Sequence, residues 1–252
     1  MGIQLPRKKK RNLLLSIIYR LHRLVPLGAD RKMRLYLDLE WIFKRLALET
    51  SFQRYGFADH PVRKYSMAFI LRHLRPSDSV LDLGCKYGDM SAAMAQKVER
   101  VVGIDHDPKA IERARRDHVH SNLEFHHADA LGHLRERGRP YDVLILSHIL
   151  EHLDDPRRFI LDFKSWFRYI YVELPDFDAT YLNDFRRDLG VDLIYTDNDH
   201  ISEFDRDDLR SLLEECGIRI VEAEYRHGVQ RLWCEVNPSD GATSQERIPD
   251  LS

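Results

Sequence analysis

The sequence lacks most of the features that mark secreted, disulfide-bonded or membrane-spanning proteins. Its 252 residues include three cysteines, Cys85, Cys216 and Cys234. An odd number without a pairing pattern argues against disulfides and against a cysteine-rich zinc module, and it fits a reducing compartment. The apolar run that begins at Leu13 is interrupted at Arg20, so it is too short to span a bilayer, and no small-residue cleavage site follows it. We therefore expect a cytoplasmic protein.

The chain carries almost no net charge, but the charge is unevenly divided. The formal net charge is −2, whereas residues 1–50 contain 12 Lys/Arg and 4 Asp/Glu, a net of +8 that leaves −10 for the remainder. Residues 7–25 join the basic run to the apolar one. They predict either a basic amphipathic helix lying on the anionic inner face of a membrane, or a solvated arm followed by a helix packed on the domain. The oligomeric state is not predicted.

Apolar spacing divides the chain into four parts. Residues 1–30 form the basic arm, residues 31–76 a helical extension that covers the substrate, and residues 237–252 a polar tail predicted to be disordered. Between them, residues 77–236 alternate apolar strands with short helices, and a loop-rich stretch falls at 176–204. This alternation predicts an α/β domain with a doubly wound, mostly parallel seven-stranded sheet. The last strand should be antiparallel, because a tight turn at Gly228 cannot make a parallel crossover.

In such sheets ligands bind beyond the carboxyl ends of the strands. Gly84, Asp105, Asp129 and the pair Ser147–His148 should therefore surround one crevice. The segment SHILEH at 147–152 contains H-x-x-E-H, a pattern of one class of zinc peptidases. Here it follows a predicted strand and is not part of a long helix, so a peptidase site is disfavoured.

The first turn of the sheet does not have the glycines of a dinucleotide site. In DLGCKYGD, the pattern G-x-G-x-x-G would fall on Gly84, Lys86 and Asp89. Lys86 would obstruct the approach of backbone to a pyrophosphate, and Asp89 would compete with the phosphates at the helix N-terminus. A NAD-dependent dehydrogenase is therefore disfavoured, and a ligand without phosphates fits better.

Several motifs in order resemble those of class I S-adenosylmethionine-dependent methyltransferases. VLDLGCKYGD resembles their first motif, GIDHDP the second, HHADAL the third and YDVLILSHILEHLDDP the motif of the fourth strand, and DHISEFDRDDLRSLLEECGI resembles a later segment. The resemblance covers about residues 78–236. It implies a Rossmann-like fold, a methyl-transferring enzyme and S-adenosyl-L-methionine as cofactor.

The resemblance also implies which residues hold the cofactor. Gly84 and Gly88 would allow a tight turn against its methionine part, and Asp105 would accept hydrogen bonds from both ribose hydroxyls. Asp129 would accept from the adenine amino group. Asp82 would lie beneath the turn or reach the amino group of the cofactor. The neighbouring positions Cys85, His106, Ala130 and Ser147 are assigned to the same site. Lys86 departs from the usual middle glycine of the family, which leaves the path of the turn open.

The candidate catalytic residues are His148, His152 and His200. If the acceptor is a hydroxyl, a base or a metal must help to remove its proton. In one hypothesis His148 or His152 is the general base and His200 positions the substrate. In another, the residues resemble the E-x-x-E-H and later D-H of small-RNA 3′-terminal 2′-O-methyltransferases, which implies a divalent metal held by His148, Glu151, His152 and His200. Such a set would suit zinc, iron or manganese better than magnesium.

The acceptor is predicted to be a small molecule, a sugar or a lipid-linked glycan methylated on oxygen. RNA remains an alternative, although the catalytic body is net acidic and lacks the N/D-P-P-Y/F stretch of amino-methylating nucleic-acid enzymes. A non-catalytic scaffold that binds the cofactor is also kept open. The aromatic residues of 176–204 should help to cover the acceptor: Phe177, Tyr181, Phe185 and Tyr195.

Overall fold

The computed structural model describes residues 12–194, 197 and 199–236. The strands in this part are β1 (Ser79–Leu83), β2 (Arg100–Asp105), β3 (Leu123–His127), β4 (Tyr141–Ser147), β5 (Phe167–Pro175), β6 (Ile218–Arg226) and β7 (Val229–Val236). The helices are α1 (Leu13–Leu24), α2 (Ala29–Arg54), α3 (Pro61–His73), α4 (Asp89–Ala95), α5 (Pro108–Asp117), α6 (Ala130–Arg137), α7 (Pro156–Phe163), α8 (Leu182–Leu189) and α9 (Arg206–Glu215). The predicted disordered tail, 237–252, and Tyr195 lie outside the described residues.

The seven strands form a single sheet in the order β3-β2-β1-β4-β5-β7-β6. Strands β1 to β5 are parallel, and β7 is antiparallel to both of its neighbours, β5 and β6. The turn between β6 and β7 includes Gly228 at φ +72°, a conformation that glycine adopts without strain. The predicted fold, a mostly parallel seven-stranded sheet with an antiparallel last strand, is confirmed.

The central strands are apolar throughout because helices cover both faces of the sheet. Along β1 and β4, Leu81 and Leu144 point to one face, which packs against α6, α7 and α9. Val80 and Val143 point to the other, which packs against α3 and α4. The parallel register then brings the carboxyl ends together. Leu83 of β1 pairs with residues of both β2 and β4, so the loops that follow these three strands share one edge.

The predicted helical extension consists of two helices. Helix α2 begins earlier than residue 31, and a break at 55–60 separates it from α3, which starts with Pro61 at a position that favours helix initiation. Helix α1 falls within the predicted basic arm. Among the helices of the described ranges, none is both long enough and apolar enough to cross a membrane.

The stretch 176–204 was expected to be rich in loops, and it contains helix α8. This helix has only eight residues and no side-chain cap at its start, so the sequence carries little sign of it. Its Arg186 is buried, donates to the backbone oxygen of Leu37 at 3.1 Å and pairs with Glu40 at 2.5 Å. Tertiary contact with α2 thus stabilises a helix that local propensity does not predict.

Candidate active site

The turn after β1 bends sharply because several of its residues adopt left-handed backbone conformations. Gly84, Lys86 and Gly88 have φ values of +70°, +46° and +80°. A Cβ on Gly84 would lie 2.6 Å from Cδ1 of Ile149, and one on Gly88 would collide with the ring of Phe125. Both glycines are therefore required by space as well as by backbone conformation. Lys86 shows that a residue other than glycine can follow the same path, with its side chain exposed.

Asp105, the last residue of β2, holds this turn in place. Its Oδ2 accepts the N–H of Lys86 and its Oδ1 accepts the N–H of Asp107, both at 2.8 Å. A carboxylate oxygen can accept more than one hydrogen bond, so each retains a lone pair for another donor. The adjacent His106 side chain is 98% exposed, with Nδ1 3.6 Å from Asp105 Oδ1. Both residues lie at the carboxyl edge of the sheet, as predicted.

Asp82 and Cys85 lie beneath the turn and are buried. Asp82 accepts a hydrogen bond of 2.5 Å from the hydroxyl of Ser91, which anchors α4 on β1. Burial raises the pKa of Asp82 to about 6, although the Ser91 hydrogen bond opposes this. Of the two predicted roles for Asp82, this contact matches the one beneath the turn. Cys85 packs against Phe125, and burial raises the pKa of its thiol well above the usual range.

Asp129, Ala130 and Ser147 also lie at this edge of the sheet. Asp129 is exposed and is the N-cap of α6, where its Oδ2 accepts the N–H of Gly132 at 2.6 Å. Ala130 is the buried first residue of that helix. The hydroxyl of Ser147 donates to Oε1 of Glu173 at 3.2 Å. The role of Asp129 towards adenine stays a prediction, and it would use the oxygen that does not cap the helix.

The segment SHILEH begins at the end of β4. His148 has φ +57°, and its N–H donates to the backbone oxygen of Glu173 at 2.7 Å. A short 3₁₀ turn, Leu150–His152, follows. A zinc peptidase of the H-x-x-E-H type needs both histidines on one face of an α-helix, and this segment has a different shape. Because Ile149 packs against Gly84, SHILEH is in direct contact with the turn after β1.

His148 lies between two buried carboxylates. Its Nδ1 is 2.9 Å from Oε1 of Glu151, and its Nε2 is 3.6 Å from Oε1 of Glu173. Burial lowers the pKa of His148, but the hydrogen bonds and negative charges of Glu151 and Glu173 outweigh this and raise its pKa to about 9. His148 is therefore an imidazolium near neutral pH, which suits a hydrogen-bond donor better than a general base.

Glu173 was not predicted from the sequence, yet it is the centre of this network. It has no exposed side-chain surface and accepts from Arg231 Nε at 3.0 Å and from the hydroxyl of Tyr171 at 2.6 Å. Burial raises its pKa, but His148 and Arg231 outweigh burial and lower it to about 2. The sequence carried one signal of this network. A glutamate within the apolar strand YIYVELP implies a charged partner, because an unpaired charge would not be buried there.

A second cluster lies on the other side of Glu151. Glu151, His152 and His200 each offer one possible ligand atom, and these atoms all lie within 4.8 Å of one another. The cluster forms because the N–H of Ile201 donates to the backbone oxygen of Glu151 at 2.8 Å, which fixes the 176–204 stretch against SHILEH. Asp197 and Asp199 form an overlapping group with His200. His148 faces Glu151 and Glu173 instead, so the cluster contains three of the four predicted ligands.

Hydrogen bonds orient both imidazoles of this cluster. His152 Nδ1 donates to the backbone oxygen of Asp199 at 3.1 Å, and this fixes the tautomer in which Nε2 can accept a proton or bind a metal. His200 Nδ1 lies 2.8 Å from Oε1 of Glu203. Burial lowers the pKa of His200, but Glu203 raises it overall. Oε2 of Glu151 is buried without a hydrogen-bond partner among the described residues. A buried, unpartnered carboxylate oxygen next to two imidazoles indicates a site for a cation or a hydroxyl donor.

The family model of the methyltransferase domain matches residues 53–223. The chain belongs to this methyltransferase family. The ribosomal protein L11 methyltransferase of Thermosipho africanus is 32% identical over 103 residues, which are 39% of this chain and 38% of that protein. The ubiquinone biosynthesis O-methyltransferase of Nitrosospira multiformis is 31% identical over 100 residues, which are 38% and 42% of the two chains. The curated relatives are thus matched over about a quarter to two fifths of their own length.

A solved structure supports the same fold. The magnesium protoporphyrin IX methyltransferase of Synechocystis PCC 6803, with S-adenosylhomocysteine bound, superposes with a TM-score of 0.52 at 19% identity, over 69% of this chain and 81% of that one. The same enzyme with S-adenosylmethionine bound gives a TM-score of 0.52 at 17% identity, over 73% and 85%. Residues 53–223 therefore form an S-adenosylmethionine-dependent methyltransferase domain. The turn fits this cofactor in two respects. Gly84 carries no side chain that would fill the turn, and the carboxylate of Asp105 retains lone pairs for a further donor.

Proposed function

We propose that this methyltransferase acts on an oxygen atom of a small molecule, a sugar or a lipid-linked glycan. The observation that carries the proposal is the cluster of Glu151, His152 and His200, which adjoins the glycine turn through the contact of Ile149 with Gly84. A hydroxyl is a weak nucleophile until its proton is removed, and oriented imidazoles are suited to that task. Nitrogen acceptors need such a base less.

In this mechanism His152 is the general base. The cofactor supplies a methyl group on a positively charged sulfur. The acceptor oxygen would take this methyl group as the S–CH₃ bond breaks, with S-adenosylhomocysteine as the neutral leaving group, and the proton of the acceptor O–H would pass to Nε2 of His152. The hydrogen bond from Nδ1 of His152 to the backbone oxygen of Asp199 makes Nε2 the nitrogen with the free lone pair in the neutral ring. His148 is charged and instead positions Glu151, while His200 positions the acceptor.

A second candidate mechanism uses a divalent metal in place of a free base. Oε2 of Glu151 has no hydrogen-bond partner among the described residues, and a cation bound by Glu151, His152 and His200 would satisfy it. Two imidazoles and one carboxylate suit zinc, iron or manganese. A metal ion would lower the pKa of the acceptor hydroxyl. Metal content by mass spectrometry of the purified protein tests this mechanism, with Glu151→Gln as the variant expected to lose the metal.

The proposed class of acceptor rests on the net charge of the domain and on exposed aromatic side chains in the 176–204 stretch. Outside residues 1–50 the chain carries a net charge of −10, which disfavours a nucleic-acid acceptor. Tyr181 and Phe185 of the 176–204 stretch form an edge-to-face pair with ring centroids 5.5 Å apart, and both are exposed. Exposed aromatic rings on a segment that also carries His200 are suited to contact the flat face of a sugar or an aromatic ring. The name of one relative, a ubiquinone biosynthesis O-methyltransferase, is consistent with an oxygen acceptor.

The test is methyl transfer from S-adenosylmethionine carrying a ¹³C-methyl group. Hexoses, catechols, extracted glycolipids and RNA are each offered as acceptors, and NMR of the products distinguishes methyl on oxygen from methyl on nitrogen. A methyl ether on a sugar, phenol or glycolipid supports the proposal, whereas an N-methyl product or labelled RNA would overturn it. His152→Ala should abolish the transfer without changing cofactor affinity. His120→Ala, at an exposed histidine far along the chain from the cluster, is the matched control.

A further inference from the structure

Helix α1 has an apolar surface that no residue of the described ranges covers. Within Leu13–Leu24 no residue is buried. Its exposed apolar side chains are Leu13 (74%), Leu14 (66%), Leu15 (49%), Ile17 (44%), Ile18 (51%), Tyr19 (63%), Leu21 (56%) and Leu24 (76%). Helices in proteins are stabilised mainly by burying an apolar face, and α1 buries none against the domain. It is tethered to α2 by polar contacts, a 2.7 Å hydrogen bond between His22 and Tyr36 and a bond from Lys32 to the His22 carbonyl.

Helix α2 also has an exposed apolar stripe. Its buried residue is Leu37, on the side held by Arg186. An exposed stripe runs along a different side at spacings of four, three and four residues: Leu35 (43%), Leu39 (39%), Ile42 (40%) and Leu46 (52%). At 100° per residue, this stripe faces away from Leu37. Lys32 and Tyr36 of α2 both contact His22, so α1 lies beside the first part of α2.

The segment that contains α1 is rich in positive charge. Ser16, Arg20 and Arg23 recur at four and three residues, so they form one narrow polar stripe along α1. The sequence RKKKR at 7–11 directly precedes the helix. Residues 1–50 carry a net of +8 while the rest of the chain carries −10. An apolar helix with a basic polar stripe and an adjacent basic run is the pattern of helices that lie in an anionic bilayer interface.

We propose that α1 and the outer stripe of α2, Leu35 to Leu46, form a docking face for an anionic lipid bilayer. This inference goes beyond the proposed methyl transfer and does not depend on it. The charge favours lipid over a second copy of the chain, because a twofold dimer would bring the same basic segment of each copy to one interface. Anionic headgroups attract that segment, and the acyl region accepts the leucine and isoleucine side chains.

The docking face is connected to the candidate active site. Arg45, within the same helix α2, forms an ion pair with Asp197, which groups with Asp199 and His200. Arg186 of α8 holds the inner side of α2. Both contacts join α2 to the stretch that carries His200. A bilayer on the outer side of α2 would therefore bring lipid-borne acceptors close to the protein.

Vesicle sedimentation of the full chain tests the docking face. The protein should sediment with vesicles that contain phosphatidylglycerol and stay in solution with pure phosphatidylcholine. Leu14→Glu/Ile18→Glu should lower the partition coefficient about tenfold or more, and Leu39→Glu/Leu46→Glu should lower it as well. The matched control is Val119→Glu, because Val119 is an apolar residue 84% exposed elsewhere on the protein. A thermal shift with S-adenosylhomocysteine, unchanged in all variants, verifies folding and is independent of the vesicle result.

Three results would overturn the proposal. The first is a full chain that fails to sediment with vesicles that contain phosphatidylglycerol. Equal sedimentation of the glutamate variants would show that the apolar face is not inserted and that the basic run alone binds. A dimer in analytical ultracentrifugation that Leu39→Glu/Leu46→Glu abolishes, without vesicle binding, would assign the face to a second copy of the chain.

Discussion

Nδ1 of His148 and Oε1 of Glu151 are 2.9 Å apart, and this hydrogen bond joins the end of β4 to the turn that carries His152. The backbone oxygen of Glu151 accepts hydrogen bonds from the N–H groups of Ile201 and Ser202, so the same residue fixes the position of the neighbouring His200. The two candidate imidazoles, His152 and His200, are therefore placed by Glu151, whose side chain is in turn oriented by His148. The site depends on a chain of contacts and not on SHILEH alone.

We expect His148→Ala to lower kcat by roughly tenfold to a thousandfold with little change in cofactor affinity. The substitution removes the partner of Glu151 and leaves two buried carboxylates facing each other, whereas the glycine turn keeps its contacts. Steady-state kinetics and calorimetric titration with S-adenosylhomocysteine measure the two effects. His148→Gln, which keeps a donor, should recover part of kcat. Unchanged turnover in His148→Ala would contradict any role in catalysis or positioning.

Stability should fall as pH rises from about 6.5 to 9. The pKa of His148 is raised to about 9 in the folded protein from an ordinary value near 6.5, so its contribution is complete below pH 6.5 and is lost towards pH 9. About a third of the side chain is exposed, so we expect a loss on the order of 1–2 kcal/mol. Urea unfolding at a series of pH values measures it. His148→Gln should flatten the curve, apart from a smaller slope from His200, whose pKa is also raised.

Glu173 should give the opposite dependence in acid. Its pKa is lowered to about 2, so its contribution is complete above its ordinary value near 4.3 and is lost as pH falls towards 2. Arg231→Met would remove the guanidinium from the buried carboxylate, leave His148 as its cationic neighbour, and should cost about 3–5 kcal/mol at neutral pH. The double variant Glu173→Gln/Arg231→Met should recover most of that loss in chemical unfolding. If the single and double variants are equally destabilised, loss of the ion pair does not explain the lower stability of Arg231→Met.

Asp105→Ala should weaken cofactor binding before it affects turnover at saturation. The substitution removes the acceptor of the Lys86 and Asp107 N–H groups and the predicted acceptor of the ribose hydroxyls. Hydrogen bonds to a charged group contribute about 1.5–3 kcal/mol, which corresponds to a rise of roughly tenfold to a hundredfold in Kd. Titration with S-adenosylhomocysteine is the measurement. Asp117→Ala, at an exposed aspartate at the end of α5, should leave Kd unchanged.

Gly84→Ala should destabilise the protein more than Gly138→Ala does. Both glycines have positive φ, so both substitutions strain the backbone by about 1 kcal/mol. A methyl group at Gly138 meets open space, whereas one at Gly84 would collide with Ile149. That collision should add about 1–3 kcal/mol. In thermal or urea unfolding, Gly84→Ala/Ile149→Ala should be less destabilised than the sum of its two single variants. Simple additivity would show that the contact with Ile149 does not matter.

The sheet and the glycine turn could be predicted because both depend on local sequence. Buried parallel strands must be apolar, and the turn needs glycine where a Cβ has no room. The cluster around Glu151 was predicted in part, because SHILEH and the Asp199–His200 pair carry recognisable residue types. The pair of Glu173 and Arg231 was missed because 58 residues separate its members, and their contact arises only when β7 inserts beside β5. The sequence left the role of α1 undecided for a similar reason, because periodicity identifies the apolar side of a helix but not what covers that side.

The position of β7 has a consequence for how the enzyme matures during synthesis. Glu173 is translated well before Arg231, and β7 inserts between β5 and β6, which are both made earlier. Until β7 has left the ribosome, Glu173 lacks the guanidinium of Arg231. A nascent chain can therefore assemble the cofactor turn long before the acceptor side is organised. We therefore expect methyl transfer to begin only after β7 is in place.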